Sequence, residues 1–299
     1  MKLEYADVQQ TSPKQTASRS KQKWNGFYRK LKRNKIALVG GAIVLFYLLV
    51  AMLAPVLAPF DPLEIHLEKK LVPPSAEHWM GTDDKGRDIL SRLMYGTQLS
   101  LAVGFVSVLI GMVFGIVLGV VAGYYGKWID TVIMRVIDVL LAFPGILLAL
   151  AIISALGPSL MNVMVAVGIF SIPTFARIVR GSTLAVKKLE YVDAVRALGA
   201  SDFIIIAKHI LPNIMSPIIV QATLRVATAI LTAAGLSFLG LGAQPPTPEW
   251  GAMLSNGRDF LFSAPHIALF PGIAISTLVL GFNLFGDGLR DALDPRMKK

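Results

Sequence analysis

Residues 190–213 read EYVDAVRALGASDFIIIAKHILPN, a polar, charged island with membrane-length hydrophobic sequence on both sides. Tyr191, Ala194, Val195 and Leu198 fall at i, i+3, i+4 and i+7, which makes one apolar stripe on a helix. Lys188, Asp193 and Arg196 lie outside that stripe. Gly199 suits the position just past a helix end, where a left-handed residue closes the last turn. Ser201 or Asp202 can cap a second helix, which Pro212 is expected to end. The expected form is a helix–glycine–helix elbow. What such an elbow does depends on where it stands relative to the hydrophobic blocks.

Those blocks place the chain in a membrane. Its 299 residues are 54% hydrophobic and only 16% charged, with a mean hydropathy of +0.62, values outside the range of soluble domains. Residues 36–60, 93–126, 139–176, 226–248 and 260–286 contain no Asp, Glu, Lys or Arg. About 20 apolar residues cross a bilayer core, so these stretches predict six membrane helices, 139–176 contributing to two of them. The absence of cysteine excludes a disulfide framework, a thiolate metal site and a cysteine nucleophile.

Reading outward from the elbow divides the chain. Residues 1–35 are expected to be a tail whose KQKWNGFYRKLKRNK segment, 21–35, is either a basic amphipathic helix on an anionic membrane face or an unstructured basic flank. Residues 36–59 form the first span and are too long for a signal-peptide core. Residues 60–92 form an outer loop. Its Asp83, Asp84 and Asp88 lack the alternating oxygen ligands and closing Glu of a calcium loop, so an elbow feeding the next span is the better reading. Residues 93–290 hold the other five spans, with the polar loop at 181–213 between the fourth and fifth, and 291–299 form a C-terminal tail.

Within the second span Gly111, Gly115, Gly119 and Gly123 recur every four residues, a smooth ridge that lets another helix approach closely. The third span starts near Asp130, with Arg135 expected to pair with Asp138 and a kink expected at Phe143-Pro144-Gly145. The fifth span, about 214–241, carries Arg225 well inside it. A charge there costs roughly 2.5–3.5 kcal/mol on insertion scales, so Arg225 should face a pore or a subunit contact.

Ten Lys and Arg precede Ile36, six lie in 177–208 and four follow Gly288. Six spans put those three regions on one side, and the positive-inside rule makes that side cytoplasmic, with both termini and the elbow. The basic pI of 9.8 then follows from topology, and a DNA-binding helix–turn–helix anchored beside the membrane is disfavoured. The four histidines are scattered, and neither H-E-x-x-H nor G-x-S-x-G occurs. No G-x-x-x-x-G-K-[ST] loop occurs either, so the chain is no P-loop ATPase. A passive channel remains as an alternative class.

Residues 193–212 resemble the EAA loop of ABC importer permeases. Asp193-Ala194-Val195 stands in the E-A-A place, Gly199 at its glycine and Leu211-Pro212 at its end. Asp193, Val195 and His209 depart from the usual Glu, Ala and Ile. GTDDKGRDILSRLMYG, GLSFLGLGAQPPTPEWG and NLFGDGLRDALDPR, with WNGFYRKLKRNKIAL at the N-terminal end, resemble the second permease subunit of dipeptide/oligopeptide-type importers. Relatives often carry an acidic residue where this chain has Ala233. The resemblance implies an all-α, type I ABC importer permease in the cell membrane. It implies a homologous permease partner, two ATP-binding subunits that hold the ATP and magnesium, and a solute-binding protein outside. It leaves open peptides, nickel complexes or other small solutes as cargo. Tyr191, Asp193, Ala194, Val195, Arg196, Leu198, Gly199, Leu211 and Pro212 would then couple to an ATPase, with no cofactor or metal on this chain. Gly199→Asp is expected to abolish transport, and Arg225→Ala to impair uptake more than assembly.

Overall fold

The computed structural model describes residues 31–32 and 34–293. The basic segment at 21–35 lies mostly outside these residues, as does most of the C-terminal tail. The long elements of the described chain are all helices: α1 Lys35–Leu57, α2 Ile89–Tyr125, α3 Lys127–Ala142, α4 Gly145–Leu156, α5 Leu160–Lys187 and α6 Glu190–Ala197. Beyond the elbow come α7 Asp202–Phe238, α8 Trp250–Gly257 and α9 His266–Leu293. Five of these helices are long and apolar enough to span a membrane, and the bent pair α3–α4 together is long and apolar enough to count as a sixth.

The glycine ridge sets the central pairing. A Cβ on Gly111 would lie 2.5 Å from the Ser171 Cβ, one on Gly115 2.4 Å from the Phe175 Cβ, and one on Gly123 2.8 Å from the Thr183 Cβ. Gly119 stands against Ala176 and Val179 in the same way. All these neighbours are on α5, so α2 and α5 touch backbone to backbone along four turns. α7 packs across this pair, Gly104 of α2 meeting Ile230. α1 sits outside, on α9, where Gly40 abuts Phe285 and Gly288 abuts Ala37. Most of α1's other side chains, Phe46, Met52 and Val56 among them, are exposed apolar groups, the expected complement to lipid.

The 60–92 segment is a folded cap. Asp88 N-caps α2, its Oδ2 accepting from the Ser91 amide at 2.7 Å, while its Oδ1 faces His78 Nδ1 at 3.0 Å. Asp83 pairs with Arg87 at 2.7 Å, and Arg92 donates to the Pro62 carbonyl at 2.8 Å. These aspartates are thus taken up by arginines and a helix cap. The stretch at 243–265 contains α8. Trp250 is fully buried and donates from Nε1 to the Leu93 carbonyl at 3.0 Å.

Glu249 caps α8 by accepting from the Gly251 and Ala252 amides, each at 2.9 Å. Burial pushes its carboxyl above the ordinary 4.5, outweighing those bonds. A carboxyl raised in the folded state favours folding below the ordinary carboxylate range and loses that contribution as pH climbs through the folded value. Glu249→Gln keeps a neutral acceptor at the cap. Its melting temperature relative to the parent should therefore rise between pH 5 and pH 8 in detergent. A pH-independent difference would refute this account of Glu249.

Three expectations are corrected. The third crossing is not kinked but broken, α3 and α4 meeting at 90° where Pro144 interrupts the amide ladder. Asp138 pairs with Arg177 at 2.6 Å rather than with Arg135, and Asp130 takes Arg180 in a two-pronged contact at 2.5 and 2.6 Å. Facing guanidinium groups on α5 compete better than a same-helix partner held at a fixed offset. Pro212 does not end a helix. It lies in the first turn of the α-helical part of α7, just after a π-helical stretch, Ile205–Ile210, and the chain runs helically from Asp202 to Phe238. The wider i→i−5 turns bring the missing Pro212 amide into the ladder without a break.

Candidate functional site

The elbow is built on an apolar floor. Val192, Ile205, Ile210, Ile214 and Ile218 are buried together with Val120 and Tyr124 of α2 and Val179 of α5. α6 therefore turns Val192 inward, and Val195 packs half-buried against the same cluster. This corrects the stripe expected from spacing alone: Val195 faces the protein, and the outward apolar row is Tyr191, Ala194 and Leu198. Leu198 is 87% exposed.

Gly199 adopts φ +82°. Its amide donates to Arg196 O at 3.0 Å, and the Ala200 amide to Val195 O at 3.3 Å. These two bonds form a Schellman closure, with Val195 and Ala200 supplying its apolar contact on the floor. Ser201 occupies the cap position of α7, but its side chain makes no capping bond. Asp202 is engaged elsewhere, accepting from the Tyr124 hydroxyl at 2.6 Å.

Two further ties fix the elbow. Asn213 Nδ2 donates to the Tyr191 hydroxyl at 3.1 Å and to His209 O at 2.7 Å, joining α6 to α7. Tyr124, at the C-terminal end of α2, has its backbone carbonyl bonded by Lys187 Nζ, and the Arg196 guanidinium lies 5.9 Å from its ring. The Tyr124 hydroxyl, then Asp193 and Asp202, favour the charged form of Arg196 still further. Asp193 and Arg196 bond each other at 3.0 Å on the exposed rim. Pro212 is exposed and Leu211 half-buried.

Sequence reasoning missed Tyr124, which lies 66 residues before Glu190 and is joined to the elbow only by folding. It also missed Phe203, which is 79% exposed. The signal for Phe203 was present. Four consecutive apolar residues, 203–206, cannot all face inward on one helix, and the structure buries Ile205 while leaving Phe203 outside. Tyr124→Phe removes the Asp202 bond, worth about 1 kcal/mol or somewhat more for a charged acceptor. Amide exchange across 190–205 should quicken severalfold while that of the α2–α5 seam stays unchanged. Equal exchange in the elbow would deny Tyr124 a role in holding it.

Arg225 stands apart from the elbow, on the part of α7 that faces α5. Its Nη2 donates to the Thr174 hydroxyl, and its guanidinium lies 5.9 Å from the Phe170 ring centre. The structure therefore brings the coupling candidates together on one elbow and leaves Arg225 and the glycine ridge within the spans.

Residues 115–299 match the family of the binding-protein-dependent transport system inner membrane component. The chain belongs to that family. Residues 23–74 match a second profile, the N-terminal TM domain of oligopeptide transport permease C. This permease is 52% identical to a dipeptide transport system permease protein, DppC, of Alkalihalophilus pseudofirmus over 275 residues, 92% of this chain and 90% of that one. It is 54% identical to a glutathione transport system permease protein, GsiD, of Salmonella typhimurium over 277 residues, 92% and 91% of the two chains. A solved inward-facing MetNI methionine ABC transporter covers 69% of the permease and 98% of its own matched chain, with a TM-score of 0.56 at 21% identity. That likeness shows the fold, the type I ABC importer permease architecture.

Proposed function

We propose that this permease is the second membrane subunit of an ATP-binding-cassette importer that moves short peptides into the cell. Its α6 elbow takes up the motion of a separate ATP-binding subunit. The observation that carries the coupling reading is the elbow itself. Tyr191, Ala194, Leu198 and Phe203 are apolar and exposed on a unit bonded at several points to α2 and α7. A row of this kind suits a groove on a partner, with Asp193 and Arg196 at its rim. Peptide as cargo is supported by the dipeptide and glutathione permeases it resembles.

In this reading two ATP-binding subunits hydrolyse ATP, and a homologous permease completes the path. A solute-binding protein delivers cargo at the face formed by the 60–92 segment and α8. Lys and Arg abundance supports cytoplasmic termini and elbow. Closure of the ATPases would carry the elbow as a rigid body and swing the attached spans between inward- and outward-facing states.

The test is reconstitution of the full transporter in proteoliposomes with labelled dipeptide and labelled glutathione. Saturable uptake requiring both ATP and the solute-binding protein is expected. Flux without ATP would sink the coupling, and ATP-driven transport of other cargo alone would sink the peptide assignment.

A further inference from the structure

Gln221, Arg225, Thr228, Thr232 and Gly235 follow one another at intervals of four, three, four and three residues along α7. That spacing keeps them on one face of the helix. The face is the open one. Thr228 is exposed, and the other four are only partly covered. A Cβ on Gly235 would meet nothing within 4 Å. The opposite face, with Val226, Ala227, Ile230, Ala233 and Ala234, is buried in the core. A polar track about 16 Å long, from Gln221 to Thr232, thus runs along this face and ends at Gly235. Polar side chains at this depth mark substrate paths more often than lipid contacts.

Arg225 is the charge on that track. Its partners among the described residues are the Thr174 hydroxyl and the Phe170 ring, neither of them anionic. A guanidinium carries five N–H donors in a planar fork, and one hydroxyl uses one of them. Its other donors are absent from the buried polar atoms left without a partner, so they reach open space rather than sealed core. Phe170 and Thr174 hold the fork from behind, on α5. A planar, incompletely used fork within a spanning helix fits a carboxylate, which it can grip with two parallel bonds.

We propose that the α7 track lines the transport path and that Arg225 binds the free C-terminal carboxylate of the peptide in transit. Gln221, Thr228 and Thr232 offer hydrogen bonds along the same line to the peptide backbone, whose groups are common to all sequences. Recognition of the terminus and the backbone would leave the side chains unread, as a carrier of varied short peptides requires. The inference rests on the peptide-import reading.

The experiment compares a labelled dipeptide with its C-terminal amide in the complete reconstituted transporter, for the parent, Arg225→Gln and Arg225→Lys. Any preference of the solute-binding protein is the same in all three and cancels in the ratio of ratios. The acid-to-amide ratio of kcat/KM should fall roughly tenfold or more in Arg225→Gln, the loss of a charge-assisted contact, and recover in part in Arg225→Lys. An unchanged ratio with parental assembly would overturn the proposal. So would loss of assembly in Arg225→Gln with the ratio kept in the residual uptake, which would assign Arg225 to a contact with the other permease. If the parent transports no peptide at all, it is the peptide-import reading that fails.

Discussion

Gly199→Val is expected to abolish ATP-driven uptake while the protein still reaches the membrane at parental levels. The reason lies in the backbone. Gly199 holds φ +82°, and a Cβ there would meet nothing within 4 Å, so the whole penalty is conformational. An ordinary L-residue in the left-handed region costs roughly 1–2 kcal/mol, and a β-branched one more. α6 has eight residues, too few to stay helical on their own. It depends on its Schellman closure and on the Val192–Val195 anchor, and a strained closure frees its last turn.

The expected order of activity is Gly199→Asn near the parent, Gly199→Ala reduced and Gly199→Val inactive, because Asn enters the left-handed region readily. The same reasoning revises the complete loss expected for Gly199→Asp. With open space around the site and a side chain that tolerates this backbone, Asp should be among the milder substitutions sterically. Uptake of labelled dipeptide into proteoliposomes, with membrane content read by immunoblot, checks the series. Parental transport by Gly199→Val would show that the closure is dispensable.

Gly115→Leu is expected to be strongly destabilising. Its first added carbon would lie 2.4 Å from the Phe175 Cβ and 3.0 Å from the Ala176 amide nitrogen, and both belong to the neighbouring helix rather than to a flexible side-chain tip. α2 and α5 would have to separate, opening the seam at Gly111 and Gly119 as well. Overpacking of a tight core costs about 1–3 kcal/mol and sometimes more, and separation of a seam this long belongs at or above the top of that range. Thermal unfolding in detergent should show a large drop for Gly115→Leu. Gly181→Leu on α5, where a Cβ would meet nothing, should leave the melting temperature unchanged or slightly raised, since Leu is the better helix former by nearly 1 kcal/mol. If the two variants melt alike, close approach is not what holds this pair.

What could be read from sequence followed from patterns with a single physical cause. Charge-free blocks located the crossings, because a bilayer tolerates little else. The four-residue glycine period marked α2 as one side of a close seam, although it could not name α5 as the other. Gly199 was legible because a left-handed closure has few alternatives to glycine. The failures share a different cause. Pro212 was read by its usual effect, but a π-helical stretch absorbed it, and no local signal announces that choice. Asp138 was assigned to Arg135 because only same-helix neighbours can be counted from sequence, whereas the partner came from α5. Val195 shared its stripe with Tyr191 by spacing, yet the floor beneath α6 lies under Val192 and reaches Val195. Tyr124 could be placed at the elbow only once α2 had been folded against it.

The uninterrupted passage through Pro212 has a mechanical consequence. Asp202, bonded to Tyr124 at one end, and Phe238, beside α8 at the other, belong to one rod of 37 residues, about 55 Å long. A rod of that length tilting by about 10° around its midpoint displaces its two tips by about 5 Å in opposite directions. Arg225 lies only about 7 Å from that midpoint along the axis, so it would shift by roughly 1 Å while both ends move. The place argued to grip cargo is close to the fulcrum, and the ends that meet other proteins have the travel.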